Sequence, residues 1–213
     1  LDLVQLHCPP SAVFASDEVF DALDTLVGDG TISAYGVSVE ETAQALTAIA
    51  RPGVATVQII LNAFRLKPLD EVLPAAAEAG VGIIARVPLA SGLLSGKYTE
   101  STTFSADDHR NYNRGGDAFD VGETFSGVPF EAGVRAAREF AALAPEEVSS
   151  AQAAIAWIAQ HDAVSTVIPG ARNIEQARSN AVAGELGDLG PGFRSEVARI
   201  YDAYFRDLVH PRW

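Results

Sequence analysis

The chain has 213 residues, 48% of them hydrophobic, a formal net charge of −13 and a single cysteine, Cys8. That balance argues against a nucleic-acid partner, which needs clustered cations, and no apolar run approaches the roughly 18 residues of a membrane span. One thiol cannot close an internal disulfide, so a reducing, cytoplasmic setting is expected.

The opening "LDLVQLHCPP" alternates apolar side chains at once and runs into His7, as a buried strand met without a lead-in loop would. "SDEVFDALDTLVGDG" predicts a helix capped by Ser16 or Asp17, with Val19, Leu23, Leu26 and Val27 on one face and Gly28 to Gly30 as its stop. "TISAYGVSV" predicts a strand, and "EETAQALTAIARPG" a helix with Ala43, Leu46 and Ala50 along one side. "ATVQIIL", "PLDEVLPAAAEAG" and "VGIIARV" continue as strand, helix and strand. Residues 98–129 are polar and rich in Gly, Ser, Thr and Asp. A loop of about 30 residues in a compact domain is usually functional or disordered.

"FEAGVRAAREFAALA" then adds an extra helix, and "PEEVSSAQAAIAWIAQHD", "VSTVI" and "NIEQARSNAVAG" resume helix, strand and helix. Residues 191–208 predict a last helix, whose stripe of Phe193, Val197, Ile200, Tyr204 and Leu208 is expected to pack on the outside of the sheet.

Strands that alternate with helices imply βα units and a parallel sheet covered on both faces. Such units build either a doubly wound open sheet or part of a (β/α)8 barrel, and in both the chemistry sits at the carboxyl ends of the strands. His7, Ser38, Gln58, Arg86, Pro169 and Gly170 fall at or near those ends.

Several familiar motifs are missing. There is no GxGxxG after a strand, no P-loop lysine and no GxSxG elbow. The histidines at 7, 109, 161 and 210 are too dispersed for metal-ligand spacing, so no metal is expected. "VIPGARNIEQARSN" places Gly170 after a strand, then Arg172, then Asn173 opening a helix. Glycine admits an anion close to the backbone, a helix N-terminus offers free N–H groups, and arginine adds a fork of donors. The same stretch also reads as an ordinary strand, turn and capped helix. His7 alone is as readily a hydrogen-bonded structural residue as a catalytic one.

Taken in order, "DLVQLHCP", "GTISAYGVS", "VQIILN", "VPLASGLLSGKY" and "VIPGARNIEQARSN" resemble the aldo-keto reductase family from its fourth barrel strand to its C-terminus. The resemblance implies a (β/α)8 TIM barrel, here an incomplete barrel of about five βα units plus a C-terminal helix, forming part of one domain over 1–213. It implies an NADPH-dependent oxidoreductase that reduces aldehydes or ketones, with a small-molecule carbonyl substrate and neither nucleic acid nor membrane as partner. His7 matches the catalytic-site histidine. Ser38 and Gln58 match the holders of the nicotinamide carboxamide, although Val39 stands where the family usually has Asn. Arg86 occupies the place of an aromatic that stacks on nicotinamide, from which it would stack or reach the pyrophosphate. Pro88, Leu89 and Ser91 match the turn around the pyrophosphate, with Lys97 close in sequence. Gly170, Arg172, Gln176 and Asn180 match the adenosine end, where Arg172 favours NADPH over NADH, and residues 98–129 match the segment that folds over the cofactor.

The family's catalytic Asp, Tyr and Lys belong to its first three βα units, and no tyrosine or lysine here sits in that motif's context. The sequence is therefore expected to be the C-terminal part of a longer protein, inactive by itself. Two other readings stay open: a non-catalytic NADPH-binding regulatory protein of the same family, and a five-unit protein that completes its sheet by association.

Overall fold

The computed structural model describes residues 1–213. In chain order the elements are β1 (Leu3–His7), α1 (Ser11–Phe14), α2 (Asp17–Gly28), β2 (Ala34–Ser38), α3 (Thr42–Ile49), β3 (Val54–Ile60), α4 (Val72–Ala79), β4 (Gly82–Arg86), α5 (His109–Tyr112), α6 (Phe130–Ala141), α7 (Ser150–Ala159), β5 (Val164–Val167), α8 (Ile174–Val182), α9 (Gly190–Tyr204) and α10 (Arg206–Val209). The strands form one parallel sheet in the order β1-β2-β3-β4-β5. Sequential order with helical crossovers is the pattern of a barrel wall rather than of a doubly wound sheet, whose strand order reverses. No helix is long and apolar enough to cross a membrane.

Register decides what the site can contain. His7 lies opposite Ser38, Ser38 opposite Gln58, and Gln58 opposite Ile84. Residues directly opposite in a parallel sheet share a face, so His7, Ser38 and Gln58 form one polar row. Arg86 pairs with Ile60 on that same face, two residues nearer the carboxyl ends. The row below holds Gln5, Gly36 and Thr56. Gly36 is required there, because a Cβ would sit 2.1 Å from Thr56 Oγ1 and 2.5 Å from its carbonyl oxygen.

The core packs on one face of β2 to β4, where Val37, Val57, Ile59 and Ile83 are fully enclosed. The other face carries the polar row and leaves Thr56 and Gln58 half-buried, short of the expected cover on both faces. β1 and β5 depart from the expectation of strands buried on both faces. They are the sheet edges, and Ser165 and Thr166 in β5 are exposed.

The helix faces differ from the expected ones. On α2 the buried residues are Phe20 and Leu23, whereas Leu26 is 39% exposed. The helix is turned by its partner in β2: Phe20 packs on Tyr35, and Tyr35 Oη donates to Asp24 at 2.7 Å. On α3 the inner face is Thr42, Ala45, Ala48 and Ile49, while Ala43 and Ala50 face solvent. A run of alanines carries little size contrast, so the apolar pattern does not single out this face; at the helix start Gln44 Oε1 accepts from the Glu41 N–H at 3.2 Å.

The C-terminal helix is two helices. The chain breaks at Phe205 (φ −134°), whose ring inserts against Phe64 at 4.7 Å between centroids. The inner face therefore passes from Phe193, Val197 and Ile200 to Tyr201, Phe205 and Val209, and Leu208 is left 48% exposed. Residues 98–129 contain α5 and two 3-10 turns, Val121–Glu123 and Phe125–Gly127, folded onto the sheet's carboxyl end.

Candidate active site

Where β1 and β4 end, the backbone turns through left-handed conformations at non-glycine residues: Cys8 (φ 43°) after His7 and Val87 (φ 53°) after Arg86. Such residues cost of order 1–3 kcal/mol each and cluster where function over-determines the backbone. Between these turns lies an open cavity of about 480 Å³. His7 and Cys8 line it from β1, Glu40 and Arg86 from the ends of β2 and β4, and His109, Phe119, Asp120 and Glu123 from the 98–129 segment. A smaller cavity of about 220 Å³ beneath Arg114 and Phe130 lies away from the strand ends, between that segment and α6.

Arg86 is the electrostatic centre of the larger cavity. Its side chain is 7% exposed. Nε donates to Glu123 Oε1 at 2.9 Å, Nη1 donates to the Val39 carbonyl at 2.9 Å, and Nη2 lies 2.8 Å from Glu123 Oε1. Nη2 also lies 2.9 Å from Glu40 Oε2, an ion pair without hydrogen-bond alignment. The guanidinium is thus committed to two carboxylates and a carbonyl, not presented as a free plane or as a spare set of phosphate donors. No local pattern pairs Arg86 with Glu123, which lies 37 residues away through an irregular segment.

Burial raises the carboxyl pKa of Glu40 above its usual range; Arg86 opposes this and Glu123 adds to it. Burial likewise raises the Cys8 thiol, against the Ser38 hydrogen bond and the Arg86 charge. A carboxyl raised in the folded state contributes stability that is complete at low pH and is lost as pH rises through the raised value. At neutral pH the Glu40 charge is therefore held against the fold. Glu40→Gln is expected to raise the thermal midpoint at pH 7, and the gain should vanish below about pH 4, where both side chains are neutral. Melting curves across that range check it, and a midpoint lowered at pH 7 would mean that the Arg86 pairing outweighs the desolvation.

Beneath Arg86, neutral groups form a chain. Ser38 Oγ donates to Gln58 Oε1 (3.4 Å), Gln58 Nε2 to Gln5 Oε1 (2.8 Å), and Gln5 Nε2 to Thr56 Oγ1 (3.1 Å). Ser38 is 1% exposed and also lies 3.3 Å from Cys8 Sγ. These hydroxyl and amide partners are of the type a carboxamide could replace without burying an unpaired group. Val39, by contrast, is fully buried and apolar, and offers its carbonyl to Arg86.

The turn after β4 has a structural task. Ser91 (φ 54°) donates from Oγ to the Glu123 carbonyl and accepts from Phe125 N–H, both at 3.0 Å. Its hydroxyl is spent on holding the 98–129 segment. Pro88 is buried, Leu89 half-buried and Lys97 exposed.

Gly170, Arg172, Gln176 and Asn180 form a separate group after β5. Arg172 N–H donates to Gln176 Oε1 (2.8 Å) and Asn180 Nδ2 to the Gly170 carbonyl (3.2 Å), so one amide group of each helix residue shapes the turn. The Arg172 side chain is exposed. A Cβ on Gly170 would meet nothing within 4 Å. The fold itself does not demand glycine there.

The sequence profile of the Aldo/keto reductase family matches residues 1–201. The chain belongs to the aldo/keto reductase family. Among relatives, "Aldo-keto reductase YhdN" of Bacillus subtilis (strain 168) is 34% identical over 113 residues, 53% of this chain and 34% of its own length. A "Probable voltage-gated potassium channel subunit beta" of Oryza sativa subsp. japonica is 32% identical over 194 residues, 84% of this chain and 55% of that one. The solved structure of the glycerol dehydrogenase AKR11B4 from Gluconobacter oxydans aligns with a TM-score of 0.75 at 27% identity, over all of this chain and 62% of that one. The chain therefore spans less than two thirds of each. An aldo/keto reductase barrel accounts for the sequential strand order and for polar residues gathered at the carboxyl ends.

No tyrosine or lysine lines the cavity. Tyr35 is bonded to Asp24, Tyr98 to Ser91, Tyr201 to His210 and Tyr204 to Glu139, while Tyr112 is exposed.

Proposed function

We propose that this chain provides strands four to eight of the barrel of an NADPH-dependent oxidoreductase that converts aldehydes or ketones to alcohols. The observation that carries this is the row His7, Ser38 and Gln58 on one sheet face, with His7 lining the cavity. The cofactor, when bound, supplies the hydride. His7 would direct a ring N–H at the carbonyl oxygen, orienting it and favouring the charge that develops there. Ser38 and Gln58 would exchange their present partners for the carboxamide, with no second side-chain contact from Val39. Arg86 would hold Glu40 and Glu123 in place instead of stacking. At the far end, Gly170 would let the backbone approach, Arg172 would face a 2′-phosphate, and the unused amide groups of Gln176 and Asn180 would face adenine. Pro88 and Leu89 would wall the pyrophosphate turn. A cytoplasmic setting suits this cofactor and the single thiol.

A second reading, a non-catalytic NADPH-binding regulatory protein, is favoured by the potassium-channel β-subunit relative, 32% identical over 84% of the chain. Binding is common to both readings, so it is tested first. Titration with NADPH and NADH, followed by nucleotide fluorescence, is expected to show preference for NADPH. Arg172→Ala should lower NADPH affinity by about 10- to 100-fold, the worth of a charge-assisted hydrogen bond, and leave NADH unaffected. Gly170→Ala should leave the melting temperature unchanged and weaken both nucleotides. Equal affinity for the two nucleotides in the wild type would remove the 2′-phosphate assignment.

A further inference from the structure

We propose that Trp213 is a positioning residue for the cavity. It pins the Asp120–Gly127 stretch over Arg65 and so keeps Asp120 and Glu123 at the cavity wall. The two carboxylates line the cavity but arrive on an irregular segment, and such a segment stays in place only where side chains from elsewhere hold it. Trp213 is such a hold. Its side chain is 6% exposed, and its indole Nε1–H donates to Asp120 Oδ1 at 3.1 Å and Oδ2 at 3.2 Å. Its ring stacks on Arg65, with the guanidinium carbon 4.1 Å from the ring centroid.

The segment is shaped to receive that stack. A Cβ on Gly122 would lie 2.2 Å from Arg65 Nη1 and 3.1 Å from Trp213 Cζ2, and one on Gly127 would lie 2.4 Å from Trp213 Cη2. Both positions must be bare for the indole and guanidinium to fit. Arg65 is 1% exposed, and its Nε and Nη1 have no hydrogen-bond partner, so the ring face and nearby carboxylates are what offset its charge. Burial lowers its pKa to about 10 even with Asp120 and Glu40 opposing. Its remaining nitrogen, Nη2, donates to the Glu40 carbonyl. One stack thus touches both acidic walls of the cavity: Glu40 through its backbone, and Asp120 through the indole. Glu123, one residue beyond Gly122, is carried along and reaches Arg86.

The test needs no assumption about cofactor or reaction. Cys8 is the chain's one thiol and lines the cavity, so its rate of reaction with a disulfide reagent reads cavity access. Trp213→Ala is expected to speed Cys8 labelling by about tenfold or more and to raise amide exchange in residues 119–127 by a similar factor, with amides of β2 to β4 unchanged. Trp213→Phe keeps the stack and loses the N–H, and should restore most of the protection. Gly122→Ala, which retains the tryptophan but displaces Arg65, should reproduce the loss. Wild-type labelling and exchange in both Trp213→Ala and Gly122→Ala would overturn the proposal. So would exchange raised equally throughout the sheet, which marks general destabilisation.

Discussion

Replacing Arg86 by Met should destabilise the fold by about 3–5 kcal/mol, the usual result of removing one partner from a buried ion pair. The guanidinium stands between two carboxylates, with Nη2 2.9 Å from Glu40 Oε2 and 2.8 Å from Glu123 Oε1. Without it these like charges face each other across a partly buried site, and the Val39 carbonyl, which accepts from Nη1, loses its donor. Urea denaturation at neutral pH measures the loss. Arg86→Lys keeps the charge but not the fork that reaches three acceptors, and should fall between the two. The decisive comparison is a triple variant with Glu40→Gln and Glu123→Gln added to Arg86→Met, which should recover most of the loss because no uncompensated charge remains. Non-additivity of that size is expected of groups sharing one network. A triple variant as unstable as Arg86→Met would show that Arg86 acts by filling volume and not by charge.

The same network shows where the sequence was informative and where it was not. The strands were legible because branched aliphatic runs bounded by Gly, Pro and Asp leave few alternatives, and their register aligns His7, Ser38 and Gln58 as two-residue periodicity requires. The rotation of α3 was not legible: in "TAQALTAI" the side chains are too alike in size for the apolar pattern to choose between Ala43 and Ala45. Nor were the partners of Arg86 and Trp213. Glu123 and Asp120 reach the cavity on a segment whose path is set by single contacts, such as Ser91 to Glu123 and Trp213 to Asp120, across 32 and 93 residues of chain. No local periodicity encodes those closures. The left-handed turns at Cys8 and Val87 were hidden for a related reason, since neither residue favours that conformation and only the packed strand ends enforce it.

The 213-residue chain given NADPH and a simple aldehyde is expected to show no measurable carbonyl reduction, even where it binds the nucleotide. Hydride transfer to a carbonyl carbon leaves an alkoxide that must take up a proton, and a positioned general acid contributes about 10²- to 10⁴-fold to such a step. The hydroxyls of Tyr35, Tyr98, Tyr201 and Tyr204 are bonded elsewhere, Tyr112 is in solvent, and neither lysine reaches the cavity. His7 remains, in an exposed position at the mouth of an open cavity. Water there competes for every donor and weakens the electrostatic help a closed site would give. Stopped assays with saturating NADPH, monitored by loss of the reduced-nicotinamide absorbance, check this, with His7→Ala as the companion. Turnover that survives in the wild type and disappears in His7→Ala would make the histidine a sufficient proton source and the tyrosine unnecessary. Absence of turnover alongside tight NADPH binding, the expected result, would show that His7 without a second positioned proton donor does not suffice for the step.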